Sequence, residues 1–240
     1  MSDQELRGTR TLVINGTTGV GPAVVRAFSQ RGADVTVAAA QASPGLPCDL
    51  AHLTVLEHST TDPEQAERLF RRVGEIDVAV ILANSIQRSD ALSLPVADVE
   101  AVIREKLTTP MVCIREAAKG MAERGGGRVI TFISMSGKTG THEGVAVPAA
   151  GMAGLIAFSR SLAVDLAPRA VTVNVIATAL FHPNASALPP ERQEHLLGGI
   201  PVGRFGDPEE AAHAALFLAS PKAAFVTGET LNLSGGRFMD

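Results

Sequence analysis

The chain has 240 residues and a mass of 24.9 kDa, enough for one large domain with a substantial core. It is 45% hydrophobic and 19% charged with a net charge of −4, which excludes a disordered chain and disfavours nucleic acid as a partner. No apolar run reaches the ~20 residues that span a bilayer, and the polar N-terminus has no signal-peptide core. We therefore expect a cytoplasmic protein without a membrane partner.

Residues for disulfides, metals or tyrosine chemistry are scarce. Cys48 and Cys113 are too few for a disulfide framework and lack metal-ligand spacing, which predicts no metal site. Metal-ligand spacing is also missing among four histidines, His52, His58, His195 and His213. The chain contains no tyrosine and no tryptophan, so its chemistry cannot use a tyrosine phenol.

Short apolar runs alternate with longer helical patterns along the chain. The runs predict strands at residues 11–15, 33–39, 52–58, 76–83, 128–134, 171–176 and 229–233. The helical patterns cover residues 22–31, 63–73, 97–124, 149–167 and 208–219. This alternation predicts a parallel sheet with helices on both faces. We expect one α/β domain over residues 1–240, with a doubly wound, Rossmann-type parallel sheet of about seven strands.

A glycine-rich loop, NGTTGVG at residues 15–21, follows the first strand and precedes a helix. Gly16, Gly19 and Gly21 would let backbone N–H groups approach a pyrophosphate at the positive end of that helix. With Thr18, they are the candidate dinucleotide-binding residues. The alternative is that the glycines only permit a tight turn, but their place between strand and helix favours ligand binding.

From this loop onward the chain resembles the classical short-chain dehydrogenase/reductase family. INGTTGVG is similar to the family's TGxxxGxG, with Ile14 and Asn15 in place of the leading Thr and Gly. The C-terminal stretch IPVGRFGDPEEAAHAALFLASPKAAFVTGETLNLSGG, from Ile200, closely matches the family signature. The resemblance implies a nicotinamide cofactor, hydride transfer between it and a carbonyl or alcohol, a small-molecule substrate, and a homodimer or homotetramer.

The chain departs from the catalytic set that the resemblance implies, which is Asn, Ser, Tyr and Lys. Counting along the matched stretches places the family Tyr at Pro148 and the Lys at Met152, and neither side chain transfers a proton. The Asn position falls on Lys106. The Ser is best placed at Ser134, with Met135 as the rival register and Ser136 as a third possibility.

The family's cofactor contacts are altered as well. The NNAG stretch reads Ile-Leu-Ala-Asn at residues 81–84. Ala39 replaces the acidic residue that holds an NAD ribose, and Ser59 replaces the Asp near the adenine. Thr178 and Ala179 stand where the family has Pro-Gly near the nicotinamide. We therefore expect no cofactor, with at most weak residual NAD(P) binding through the glycine loop.

Three residues are candidates for a different chemistry in the pocket expected at the carboxyl ends of the strands. Lys106 is a candidate base or electrostatic clamp, although it is equally suited to pairing with Glu105 or Glu116. Ser134 is a candidate hydrogen-bond donor to a substrate oxygen, or a strand-end serine bound to its own backbone. His142 is a candidate general acid or base, against the alternative of a solvated loop histidine.

These observations lead to three hypotheses for the function. The first is a non-redox enzyme, such as a cyclase, lyase, isomerase or hydrolase, that uses Lys106, Ser134 and His142 on a small organic substrate. The second is a catalytically silent ligand-binding or partner subunit of an active family member. The third is an atypical NAD(P)-dependent oxidoreductase. Because the usual redox groups are replaced, the first is the expected function.

Overall fold

The computed structural model describes residues 5–40, 46, 53–58, 62–83, 85–140 and 142–240. Their seven parallel strands form one sheet in the order β3-β2-β1-β4-β5-β6-β7. The strands are β1 (Arg10–Ile14), β2 (Asp34–Ala39), β3 (Leu53–Glu57), β4 (Val78–Leu82), β5 (Gly127–Ser134), β6 (Val171–Thr178) and β7 (Thr230–Leu233). The predicted doubly wound parallel sheet is thereby confirmed. Four residues discussed above, Cys48, His52, Ser59 and Asn84, lie outside the described residues.

Helices cover both faces of this sheet. They are α1 (Gly21–Gln30), α2 (Pro63–Val73), α3 (Val96–Ile103), α4 (Thr109–Arg124), α5 (Ser136–Thr139), α6 (Ala146–Leu166), α7 (Pro190–Leu197) and α8 (Pro208–Ala219). Side chains alternate along each strand. On β1, Val13 belongs to the core beneath α1 and α8, whereas Leu12 and Ile14 belong to the core beneath α2, α4 and α6. Two apolar cores, one on each face, therefore hold in place the sheet whose carboxyl edge carries the site.

The helix predicted at residues 97–124 is divided. A π-helical turn, Arg104–Thr108, separates α3 from α4, and the N–H of Thr109 bonds to the carbonyl of Arg104, five residues back. Pro110 follows at the start of α4 and has no N–H to give the carbonyl of Lys106. We attribute the wider turn to this missing donor and to the proline ring.

The helix α6 begins earlier than the sequence predicts. It starts at Ala146, so Pro148 lies within the first turn, where its missing N–H costs no helical bond. Counted with the 3₁₀ turn that follows, the stretch Ala146–Arg169 is long and apolar enough to cross a membrane by length and composition. In the structure Met152, Leu155 and Ile156 of α6 are buried in the main core. Packing against the sheet accounts for this apolar composition.

Close packing joins α6 to the π-helical turn. A Cβ atom on Gly151 would lie 2.9 Å from the Cβ of Lys106, and one on Gly154 would lie 2.9 Å from a methyl of Leu107. Only glycine lets the two backbones come this close. These contacts fix the turn that carries Lys106.

This packing gives a prediction for two glycines inside helices. Gly151→Ala should destabilise the protein by about 1–3 kcal/mol, because the added methyl overlaps Lys106. The matched change is Gly120→Ala in α4, where the nearest atom is the movable end of Arg124 at 3.2 Å. It should stabilise by up to about 1 kcal/mol through helix propensity. Urea unfolding measures both, and equal effects would contradict the close contact at Gly151.

Candidate functional site

The site lies at the carboxyl edge of the sheet, where the strand order reverses between β1 and β4. Ligands of open parallel sheets bind at such a switch point. Asn15 follows β1 with a φ of 62°, and its side-chain amide donates to the carbonyl of Leu82 at the end of β4, at 3.0 Å. Asparagine tolerates this left-handed backbone, so it opens the loop where the related motif has glycine. The amide holds the two strand ends together across the switch point.

The glycine loop fits the phosphates of a dinucleotide. A Cβ on Gly21 would lie 2.6 Å from the backbone of Gly16, so the loop packs tightly under the first turn of α1. Gly19 has a φ of +59° and nothing within 4 Å of its Cβ position, which leaves open space beside the helix N-terminus. No acceptor in the described part of the chain takes the N–H groups of Gly19 or Val20. Free N–H groups at the positive end of a helix suit an anion, and Thr18 is exposed on the same loop.

The adenosine end of such a ligand has fewer visible contacts. Ala39, at the end of β2, is 3% exposed and offers no carboxylate to a ribose. Much of the chain between β2 and β3, residues 41–45 and 47–52, lies outside the described residues, as does Ser59. The fit to a dinucleotide is therefore carried by the glycine loop.

Ser134 ends β5 and forms the centre of the site. It pairs with Thr178 of β6, and its Oγ donates to Ser136 Oγ at 3.3 Å and accepts from the Ser136 N–H at 3.2 Å. Both serines line the cavity described below. Met135 between them also borders it, but this residue is 1% exposed and belongs to the main core. The structure thus places two hydroxyl groups side by side at the end of β5.

The two positions predicted to correspond to the family's Tyr and Lys are part of the protein interior. Met152 is fully buried, and its Sδ lies 3.3 Å from the N–H of Ser134. A Cβ on Gly137 would lie 2.5 Å from the Cβ of Met152, so α5 and α6 are in close contact here. Pro148 is buried in the first turn of α6. Neither side chain brings a proton to the site.

His142 approaches the serines from the opposite wall. Its Nδ1 lies 3.2 Å from Ser136 Oγ, and its ring packs edge-on against Phe238 at 6.0 Å. Burial lowers the pKa of His142, and the positive charges of Arg237 and Arg88 lower it further. The loop is fixed by Arg88, which donates to the carbonyl of Glu143 at 2.7 Å. His142 is therefore a positioned side chain and not a solvated loop residue.

A cavity of about 330 Å³ contains Ser134, Ser136 and His142, with apolar walls that include Val145, Leu180 and Leu196. This volume falls within the range of small-molecule sites. A second groove of about 190 Å³ begins at Gly19 and Val20 of the glycine loop. Both spaces are bounded by a shared set of residues, Ile86, Ser134, Thr178, Ala179 and Leu180. Ser134 thus stands where the glycine-loop groove meets the cavity.

Lys106 is not brought to this cavity. Its side chain is 5% exposed, and its Nζ donates to Ser85 Oγ at 2.7 Å and pairs with Glu105 at 2.5 Å. It lines a separate space of about 20 Å³ beside Asn15, which shares no residue with the cavity of His142. The geometry is that of the alternative interpretation, in which Lys106 pairs with Glu105. The other two candidates, Ser134 and His142, are brought together.

Several residues of the site were not found in the sequence. Arg88, Arg192 and Arg237 all line the cavity of His142, together with Phe238. They come from three distant stretches of the chain, and an isolated arginine gives no local signal of a site. Ser136 was named only as a third register, although it is the residue that joins Ser134 to His142.

Metal and thiol chemistry gain no support from the described residues. Among them, no group of three or more His, Cys, Asp or Glu side chains is arranged to hold a metal ion. Cys113 is a free, buried thiol, and burial raises its pKa to about 12. Such a thiol is a core residue in this fold.

Comparison with known proteins identifies what this fold and site resemble. The family model described as Enoyl-(Acyl carrier protein) reductase matches residues 14–237. The 3-oxoacyl-[acyl-carrier-protein] reductase FabG of Vibrio cholerae is 32% identical over 243 residues, covering 98% of this chain and 99% of that protein. FabG of Escherichia coli is 32% identical over 241 residues, covering 97% and 98%. A solved structure assigned as a betaketoacyl-ACP reductase superposes with a TM-score of 0.86 at 27% identity, covering 96% and 98%.

These similarities correct the expected function. A non-redox enzyme or a silent subunit was expected because the usual catalytic groups are replaced, and this expectation is wrong. The relatives that match nearly the whole chain are named reductases. The expectation of no cofactor is overturned with it, because reduction in this family draws on a nicotinamide. The absence of tyrosine remains a fact of the sequence, so the correction concerns which side chains do the chemistry.

The electrostatics of the site give a prediction for His142. Arg237→Gln or Arg88→Gln should raise the pKa of His142, because each change removes a positive charge that disfavours the imidazolium. NMR titration of the His142 ring protons, assigned with a His142→Gln sample, measures the shift. Arg169→Gln, on the exposed turn after α6, is the control and should leave that pKa unchanged. An unchanged or lower pKa in both cavity variants would contradict this account.

Proposed function

The chain belongs to the short-chain dehydrogenase/reductase family, and we propose that it is a nicotinamide-dependent reductase of a small carbonyl compound that uses no tyrosine. The relatives named 3-oxoacyl-[acyl-carrier-protein] reductase support a 3-oxo compound as the substrate class. The observation that carries the proposal is the position of Ser134, where the groove from the glycine loop meets the cavity of His142.

Residues of the glycine loop would hold the cofactor. The N–H groups of Gly19 and Val20 and the first turn of α1 would bind its phosphates, and Gly16 and Gly21 keep the loop close to the helix. When bound, a reduced nicotinamide supplies the hydride that the carbonyl carbon receives. The carbonyl oxygen then needs one proton from the protein.

That proton is supplied by a chain of three side chains. Ser134 donates its hydroxyl hydrogen to the carbonyl oxygen, Ser136 replaces it, and His142 replaces the proton of Ser136. The hydroxyl hydrogens can rotate, so the same chain runs outward when an alcohol is oxidised. His142 is partly exposed, so it can exchange its proton with solvent. The distances along this chain are 3.3 Å between the two serine Oγ atoms and 3.2 Å from Ser136 Oγ to His142 Nδ1. They are long for hydrogen bonds, as is common in catalytic sites before the substrate is bound.

Two further expectations go with this proposal. The homodimer or homotetramer implied by the resemblance is supported by exposed apolar side chains such as Val164 on α6 and Phe225 before β7, which are 74% and 103% exposed. The cytoplasmic location stays a prediction.

Replacement of His142 tests the proton pathway. His142→Gln should lower kcat for the reduction of ethyl 3-oxobutanoate by about 10²–10⁴-fold, because the serine hydroxyls lose their proton source. Calorimetry should show unchanged binding of the nicotinamide. The rate of the unmodified protein should fall as pH rises above the pKa of His142, and the variant should lose this dependence. His213→Gln, exposed on α8, is the control and should keep both rate and pH profile.

The pathway through the serines has its own test. Ser136→Ala should slow reduction nearly as much as His142→Gln, and the double variant should be no slower than either single one, because both interrupt one chain. Additive losses would contradict a shared pathway. Full activity of His142→Gln with an unchanged pH profile would overturn the proposed role of this histidine.

A pair of glycines with matching backbones tests cofactor binding. Gly19 and Gly8 both have a positive φ, +59° and +73°, and neither has an atom within 4 Å of its Cβ position. Gly19→Glu should weaken NADH and NADPH binding at least about 100-fold, because it places a carboxylate where the phosphates bind. Gly8→Glu carries the same strain away from the loop and should bind normally. Equal binding by the two variants in calorimetric titration would contradict the assignment of the loop.

A further inference from the structure

Three arginines surround the cavity of His142. Arg88 comes from the segment after β4, Arg192 from α7 and Arg237 from the C-terminal tail, and all three line the same space. Arg237 is half-buried, with its guanidinium 5.9 Å from the centre of the Phe238 ring. Three separate parts of the fold therefore bring positive charge to one small cavity.

Acidic side chains of the described residues do not pair with these arginines. Arg88 donates to the carbonyl of Glu143, and Arg237 donates to the carbonyl of Leu196 at 3.1 Å. Within the described ranges, no carboxylate lies within 4.0 Å of the guanidinium of Arg88, Arg192 or Arg237. Most of their N–H donors remain available, because each guanidinium carries several in a fixed fork. By contrast, eight other arginines and lysines of the described chain are paired with acids, namely Arg10, Arg26, Arg68, Lys106, Arg115, Lys138, Arg204 and Lys222.

The rest of the lining is consistent with an anion that has an apolar body. No Asp or Glu of the described chain lines the cavity, whereas Ile86, Leu188 and Phe238 do. A guanidinium fork matches the two oxygens of a carboxylate or phosphate. Apolar walls then favour a hydrocarbon portion next to that charged group.

We propose that the substrate of this reductase is a free organic anion, an oxo compound whose carboxylate or phosphate is bound by Arg88, Arg192 and Arg237. The hydrocarbon portion lies against the apolar walls, and the oxo group reaches Ser134. This inference rests on the proposed function for the oxo group, but the anion site rests on the arginines alone. Such a substrate differs from an acyl group carried as a neutral thioester, which has no charged group next to the three arginines.

The anion would also activate the proton donor. Arg237 and Arg88 are the charged groups that act on His142, and both disfavour its protonated form. A bound anion neutralises these charges, so the imidazolium becomes more favourable when the substrate is present. His142 would then hold a proton chiefly in the complex that requires it.

Calorimetric titration of the full chain without nicotinamide tests the anion site. The probes are 3-oxooctanoate, its methyl ester and octyl phosphate. We expect 3-oxooctanoate to bind at least about tenfold more tightly than the ester, and to lose affinity as salt is raised. Tighter binding of octyl phosphate than of the carboxylate would identify the natural group as a phosphate. Equal binding of acid and ester would overturn the proposal.

Variants assign the binding to the arginines. Arg88→Gln, Arg192→Gln and Arg237→Gln should each weaken 3-oxooctanoate by about 10–100-fold and leave the ester unchanged. Arg237→Lys keeps the charge and should retain part of the affinity, which separates charge from packing of the tail. Arg169→Gln is the matched control outside the cavity and should bind normally. Normal affinity in all three cavity variants would overturn the assignment.

The last measurement separates this inference from the proposed function. Saturation with 3-oxooctanoate should raise the pKa of His142 in an NMR titration, and Arg237→Gln should reduce that rise. Binding with no change in this pKa would overturn the coupling. Anion binding without any oxidation of NADH or NADPH would overturn the reductase and leave the anion site standing. Reduction of the ester with no anion binding would overturn the anion site and leave the reductase standing.

Discussion

The contact between the end of β5 and α6 determines where the reactive groups lie. The N–H of Ser134 meets Met152 Sδ at 3.3 Å, and Gly137 allows α5 to pack against the same methionine. This packing fixes Ser134 and Ser136 next to each other at the cavity. Because the α6 wall is apolar here, a proton cannot arrive from it. In the proposed reaction the proton comes instead from the loop after α5, which places His142 beside Ser136.

The fold was largely predictable because its signals are local and repeated. Apolar runs alternating with helical patterns determined the parallel sheet, and the pattern for α8 gave its bounds, Pro208–Ala219. The short helices α5 and α7 were not found, since helices of this length depend on tertiary contacts and not on propensity. The π-helical turn Arg104–Thr108 was also missed. It arises from Pro110, which sits inside an otherwise continuous helical pattern.

The site was predictable only in part, for physical reasons that differ between residues. Counting along the stretches that match the family made Ser134 a candidate. His142 became a candidate because it lies in the loop that follows the same strand. For Lys106 the sequence left two alternatives equally open, a reactive lysine and a lysine paired with an acid, because only the fold shows that Ser85 and Glu105 decide where that ammonium group points. The loss of redox chemistry was inferred position by position from missing groups. That reasoning assumes that a proton must enter by the same wall as in relatives with tyrosine, an assumption that the proposed hydroxyl chain to His142 does not need.

The arginines give the site a property that neither the serines nor His142 has alone. In the free protein, burial and the charges of Arg237 and Arg88 lower the pKa of His142, which reduces the fraction of His142 that carries the proton at a given pH. An anion in the cavity reverses the electrostatic part of this effect. Thermodynamic linkage makes the relation reciprocal: if the anion favours the protonated imidazole, the protonated imidazole binds the anion more tightly. Affinity for an anionic substrate should therefore increase as pH falls through the range in which His142 titrates, whereas affinity for a neutral ester should not. Substrate binding and proton supply would then be one equilibrium, achieved without a tyrosine.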